Sequence, residues 1–171
     1  LLDAKSSNEF DTATLNRFLG NLYATKDEKQ AIKYLTLAVK PDVLTFADQS
    51  SSMKLLADML LQDKQYQTAI KAYEDWMMFT GEQNSDAYMR IANAYYLMDQ
   101  HAKVLAPADD AIRFAPKPIE GPYQLKMAAL YETKRYKELV AVVETMVQLF
   151  PENKQFWVYL GNFYTLTEEF G

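Results

Sequence analysis

The side chains that could do chemistry in this chain are few and scattered. His101 is the only histidine and there is no cysteine, which removes thiol nucleophiles, disulfides and cysteine-based metal sites. A single imidazole at the turn between two helical stretches reads as a structural or surface residue. Asp109-Asp110 and Glu168-Glu169 are the adjacent carboxylate pairs. Neighbours on a helix point about 100° apart, so neither pair converges on one substrate as acid and base. Both read as solvated faces. No phosphate-cradling or nucleophile-elbow pattern (G-x-x-x-x-G-K-S/T, G-x-G-x-x-G, G-x-S-x-G) occurs. The expectation is a non-enzyme with no catalytic residues, no cofactor and no metal.

Bulk properties narrow the partners. The 171 residues are 49% hydrophobic and 24% charged, as in an ordinary folded domain. The net charge is −5, without any Lys/Arg run, so nucleic acid and anionic membrane are poor partners. Apolar runs such as Met59-Leu60-Leu61 are far too short for membrane insertion. The chain begins Leu1-Leu2-Asp3, so it is expected to be a fragment or processed product.

The elements that position these residues repeat. "LGNLY" (19–23) and "LGNFY" (160–164) are two copies of one pattern. Between them lie Leu56-Ala57…Leu60, Ile91-Ala92…Tyr95 and Met127-Ala128…Tyr131. The first residues of the five copies are spaced 37, 35, 36 and 33 apart. After each of the first four copies comes a polar turn, "TKDEK" (25–29), "QDKQ" (62–65), "MDQH" (98–101) or "ETKR" (132–135). A second stripe at helical spacing follows: Ala31, Leu35, Ala38; Tyr66, Ala69, Tyr73, Trp76; Val104, Ala108, Ala111; Leu139, Val143, Met146. Pro41, Gly81, Pro116 and Pro151 close the units. Each unit reads as two amphipathic helices, and one pair cannot bury its apolar face alone, so the units must stack. Pro107 is expected to kink its helix, and Pro122 to start one.

This pattern resembles the tetratricopeptide repeat, with W-x2-L-G-x2-Y, then A-x3-F/Y, then P. Trp157, Leu160, Gly161 and Tyr164 match its first part in full, and the likeness covers nearly the whole chain. It implies an all-α, right-handed α-solenoid of stacked antiparallel helix pairs forming a single domain over 1–171. Repeats fall at about 12–46, 50–83, 85–118 and 121–153, with a partial fifth at 154–171. The fifth is expected to be cut inside a repeat.

The resemblance also implies where a partner binds, because the first helices of such solenoids line a concave groove. The residue after each small residue gives Asn21, Asp58, Asn93, Ala129 and Asn162. An asparagine amide both donates and accepts, so it can pair with a peptide backbone whatever the peptide's side chains. One turn earlier lie Arg17, Lys54, Met89, Leu125 and Val158; Tyr96, Glu132 and Thr165 extend the wall. Leu55 and Asp86 stand where relatives that clamp a C-terminal carboxylate carry Asn and Lys, so that clamp is not expected, although Arg90 fits one of its sites.

The expected partner is a protein or peptide. The alternative is self-association through the stack ends, especially the last unit with Phe163, Tyr164 and Phe170. "FTGEQNSDAYMRIANAYY", "APADDAI" and "LFPENKQFWVYLGNFY" also resemble the repeat protein encoded with second TonB energy-transduction systems of gammaproteobacteria. That would imply a periplasmic accessory of TonB-dependent uptake; a cytoplasmic location is the alternative.

Overall fold

A computed structural model describes residues 5–170, with side chains over 8–167. It shows α1 (Lys5–Tyr23), α2 (Glu28–Val39), α3 (Phe46–Gln62), α4 (Tyr66–Thr80), α5 (Ser85–Leu97), α6 (His101–Arg113), α7 (Glu120–Glu132), α8 (Tyr136–Leu149) and α9 (Lys154–Phe170). The described residues contain no strand. Two compact units contain residues 1–82 and 83–171. Each is a stack of helix pairs, with α1 against α2, α2 against α3 and α3 against α4 in the first. In the second, α5 packs on α6, α6 on α7, α7 on α8 and α8 on α9.

Local chemistry sets the helix starts. The carboxylate of Asp27 accepts from the Gln30 N–H at 3.0 Å, the Thr45 hydroxyl from Asp48 N–H at 3.2 Å, and the Asn84 amide oxygen from Ala87 N–H at 3.0 Å. Each satisfies a donor with no partner inside its helix. Three of the turns within pairs, after α3, α5 and α7, reverse the chain through a left-handed residue: Lys64 (φ 61), Asp99 (φ 57) and Lys134 (φ 57). Gly81, at φ 72, ends α4 in the same conformation, where a glycine carries no Cβ penalty.

The second-helix stripes are the buried faces. Ala31, Leu35 and Ala38 are fully buried in α2, as are Val104, Ala108 and Ala111 in α6 and Leu139, Val143 and Met146 in α8. Small residues there let the next helix approach, and each buried Leu or Val contributes about 1.5–3 kcal/mol. Pro107 sits inside α6, which nonetheless runs on to Arg113. Its missing N–H leaves the Lys103 carbonyl without the usual helical donor. α7 begins at Glu120, so Pro122 lies within its first turn rather than at its start, and is buried there. That turn has no helical acceptor to offer an N–H, so a proline fits.

Candidate functional site

Of the positive-φ residues, Lys64, Asp99 and Lys134, which lie in turns within helix pairs, are 35 residues apart, and so are the starts of α4, α6 and α8; Asp42, also at positive φ, lies between pairs. This spacing fixes the register of the first helices. Ala57 corresponds to Ala92 and to Met127, and Gly161 follows 34 residues later. The fourth pair is therefore one residue out of step with the alignment read from "MAALY". Ala129 is fully buried and does not belong to the groove row; Ala128 takes its place, half-buried. By the same shift Gln124 replaces Leu125, and Tyr131 replaces Glu132 as the counterpart of Tyr96. Tyr131 is 48% exposed. A compact polar turn is a better anchor for alignment than an apolar–small–aromatic motif, because apolar residues recur on several faces of a buried helix.

In the first unit the expected groove residues are engaged within the chain. Arg17 of α1 bonds through Nη2 to Asp48 Oδ1 of α3 at 2.7 Å. The Asn21 amide donates back to the Arg17 carbonyl at 2.8 Å. Lys54 Nζ lies 5.4 Å from the centre of the Trp76 ring, a cation–π distance. Asp58 accepts from the buried Tyr73 hydroxyl at 2.5 Å. Tyr73 is fully buried, so its hydroxyl needs that acceptor. Arg17, Lys54 and Asp58 thus tie first helices to their neighbours.

The second unit differs. Met89, Asn93 and Tyr96 lie on one side of α5, and Asn162 and Val158 hold the matching positions of α9. Gly121 of α7 closes against Met89: a Cβ there would sit 2.9 Å from the Met89 sulfur. Tyr131 of α7 stands 6.0 Å, ring to ring, from Phe163 of α9. These contacts put α5, α7 and α9 side by side. Asn93 is half-buried and Asn162 exposed, and neither side chain hydrogen-bonds to a described residue. Tyr96 packs against His101 at 4.9 Å. The face presents two amides, the apolar Met89 and Val158, and the rings of Tyr96 and Tyr131. Glu132 is exposed beside Tyr131.

Charge near this face is local. Arg90 Nε pairs with Asp86 at 2.9 Å along α5, so the acidic group stands beside a guanidinium. On the far side of the helices, a cavity of about 400 Å³ is lined by Asp109, Ile112, Tyr123, Lys126, Glu138 and Thr145, among others. Lys126 pairs with Asp109 at 2.5 Å, and the Arg135 guanidinium holds the Glu138 carboxyl below its usual range. Burial raises the Tyr123 phenol. The charged groups there neutralise one another and present no nucleophile with a base. Among the described residues no group of three or more His, Cys, Asp or Glu could hold a metal, and no helix is long and apolar enough to cross a membrane. The side chains of Glu168, Glu169 and Phe170 lie outside the described residues.

No family model and no curated protein matches this sequence. Solved structures do. MamA of Desulfovibrio magneticus RS-1, from residue 41 to its end, is 16% identical with a TM-score of 0.72, over 92% of this chain and 86% of its own. A double mutant of MamA RS-1 gives 0.73 at 16%, over 92% and 85%. YrrB, described as a TPR protein with an unusual peptide-binding site, gives 0.67 at 16%, over 87% and 74%. At these identities the likeness shows the fold: an all-α helical-repeat solenoid of the tetratricopeptide type.

Proposed function

We propose that this chain is a non-enzymatic scaffold that binds an extended protein segment on the first-helix face of its second unit. The observation that carries the reading is the contrast between units. In the first, the row's polar groups are bonded to the chain itself. In the second, the amides of Asn93 and Asn162 make no such bond. A backbone stretch laid across α5, α7 and α9 would give each amide a donor and an acceptor. Met89 and Val158 would take apolar side chains, and Tyr96 and Tyr131 would offer flat rings. The flanking Asp86–Arg90 pair disfavours capture of a terminal carboxylate.

The test is selection of peptides on the purified protein from a random array, followed by titration of the selected peptide against Asn93→Ala/Asn162→Ala. Binding reduced with unchanged circular dichroism supports the face. Full binding by the variant removes it.

Within this reading the partner class is a component of TonB-dependent uptake and the compartment is the periplasm. The support is the sequence likeness to the repeat protein of second TonB systems. Cell fractionation, and cross-linking in cells to TonB-system proteins, test it. Recovery in the cytoplasm with no such cross-link sinks the narrower assignment and leaves the binding face standing.

A further inference from the structure

α7 is the middle first helix of the second unit. α5 packs on one side of it, and the rings of Tyr131 and Phe163 join it to α9 on the other. Glu132 ends α7 on the open face. It follows Ala128 by four residues, one turn further on and about 40° round the helix. Its carboxylate is exposed and makes no hydrogen bond or ion pair with a described residue. The other described charges of these three helices are paired or lie elsewhere. Asp86 pairs with Arg90, Lys126 pairs with Asp109, and Glu120 accepts from the Asn153 amide. Leu166 holds the level of Glu132 in α9, and the exposed Lys154 precedes it by twelve residues, about 18 Å along the axis. In the turn after α7, Arg135 pairs with Glu138, and Lys134 forms no ion pair with Glu132.

In the repeat register Glu132 corresponds to Leu97 of α5 and Leu166 of α9. Leu97 is 49% exposed and Leu166 half-buried. One level of the face therefore reads apolar, acidic, apolar across α5, α7 and α9. We infer that the segment bound here carries a lysine or arginine flanked by apolar residues, and that Glu132 selects it. This rests on the binding face proposed above and adds the chemistry of its occupant. The stem of a lysine or arginine is apolar and lies along leucine, while its head reaches the carboxylate. The exposed Tyr131 ring, next to Glu132 in the chain, offers the same cation an aromatic surface. An acidic residue at that point would meet Glu132 charge to charge, and the net charge of −5 favours a basic segment at longer range. Exposed ion pairs are weak, so Glu132 sets specificity more than total affinity.

Selection of peptides from a random array on the 171-residue chain, and again on Glu132→Lys, tests this. Glu132 is exposed, so the variant is expected to keep its circular dichroism. Wild-type selections are expected to be enriched in lysine or arginine between apolar residues, and those of the variant in aspartate or glutamate there. Exchanging the basic residue of the strongest wild-type peptide for glutamate is expected to weaken it about fivefold on the wild type and to restore it on Glu132→Lys. Selections without basic enrichment, or with equal enrichment on Glu132→Lys, overturn the role of Glu132. The binding face survives that result where the same peptides lose affinity for Asn93→Ala/Asn162→Ala. A wild type that selects no peptide overturns the face, and this inference with it.

Discussion

Gly20 lies so close to Leu35 that a Cβ built on it would fall 2.7 Å from Leu35 Cγ and 3.2 Å from its backbone nitrogen. The same construction on Gly161 meets nothing within 4 Å. The two copies of one pentapeptide therefore sit in opposite environments. In the first copy the glycine lets α1 and α2 touch. In the second, Trp157 and Tyr164, the other residues of that face, are 53% and 44% exposed.

Opposite signs are expected on adding a methyl group. Gly20→Ala must push the fully buried Leu35 aside and is expected to cost about 1–3 kcal/mol. Gly161→Ala adds no clash and removes a helix-interior glycine, for a gain of about 0.5–1 kcal/mol. Urea unfolding of the two variants reads both. A loss in both would mean that Gly161 is covered.

Tyr73 and Asp58 join α4 to α3 beneath the face where Asp58 was expected to meet a partner. Tyr73→Phe removes one hydrogen bond to a carboxylate from a fully buried site and is expected to cost about 1–2 kcal/mol. Asp58 is a positioning residue of the fold, so Tyr73→Phe is expected to leave peptide affinity unchanged while lowering the unfolding midpoint. Loss of affinity with unchanged stability would return Asp58 to the binding face.

Tyr164 of α9 donates to the Glu144 carboxylate of α8. That hydrogen bond, with burial and the negative charge of Glu144, raises the Tyr164 pKa above 10.0. The neutral phenol is the bonded form, so the stability that it contributes is present below pH 10. It is lost as pH rises through the raised value, when two negative charges would meet. A tyrosinate absorbance titration is expected to show a late-titrating group of phenols, Tyr88, Tyr123 and Tyr164, of which only the Tyr164 phenol depends on Glu144. That phenol disappears in Tyr164→Phe and moves down in Glu144→Gln. An unchanged late step in Tyr164→Phe would assign it to another tyrosine, of which Tyr88 and Tyr123 also titrate high.

What was legible in the sequence follows from how the information is carried. Helix pairs and buried second-helix stripes were plain, because Ala31, Leu35, Val104, Ala108, Leu139 and Val143 repeat at helical spacing and are fully buried. The register of the fourth first helix was not. "MAALY" offers two alanines, and only Ala129 is fully buried. The left-handed turn residues Lys64, Asp99 and Lys134, 35 apart, carry that register in the structure, whereas the polar turn segments read from the sequence begin at 62, 98 and 132 and leave it open by a residue. Nor could the sequence show that Arg17, Lys54 and Asp58 spend their polar atoms inside the first unit. Their partners Asp48, Trp76 and Tyr73 are 31, 22 and 15 residues away, and only packing reveals them.

The central claim is that the amides of Asn93 and Asn162 grip a bound segment. Calorimetric titration of an array-selected peptide into the wild type and into Asn93→Ala/Asn162→Ala measures this directly. Removing groups that make two to four hydrogen bonds of about 0.5–1.5 kcal/mol each predicts a loss of roughly fivefold or more in affinity, with circular dichroism unchanged. Equal affinity for both proteins would contradict the account.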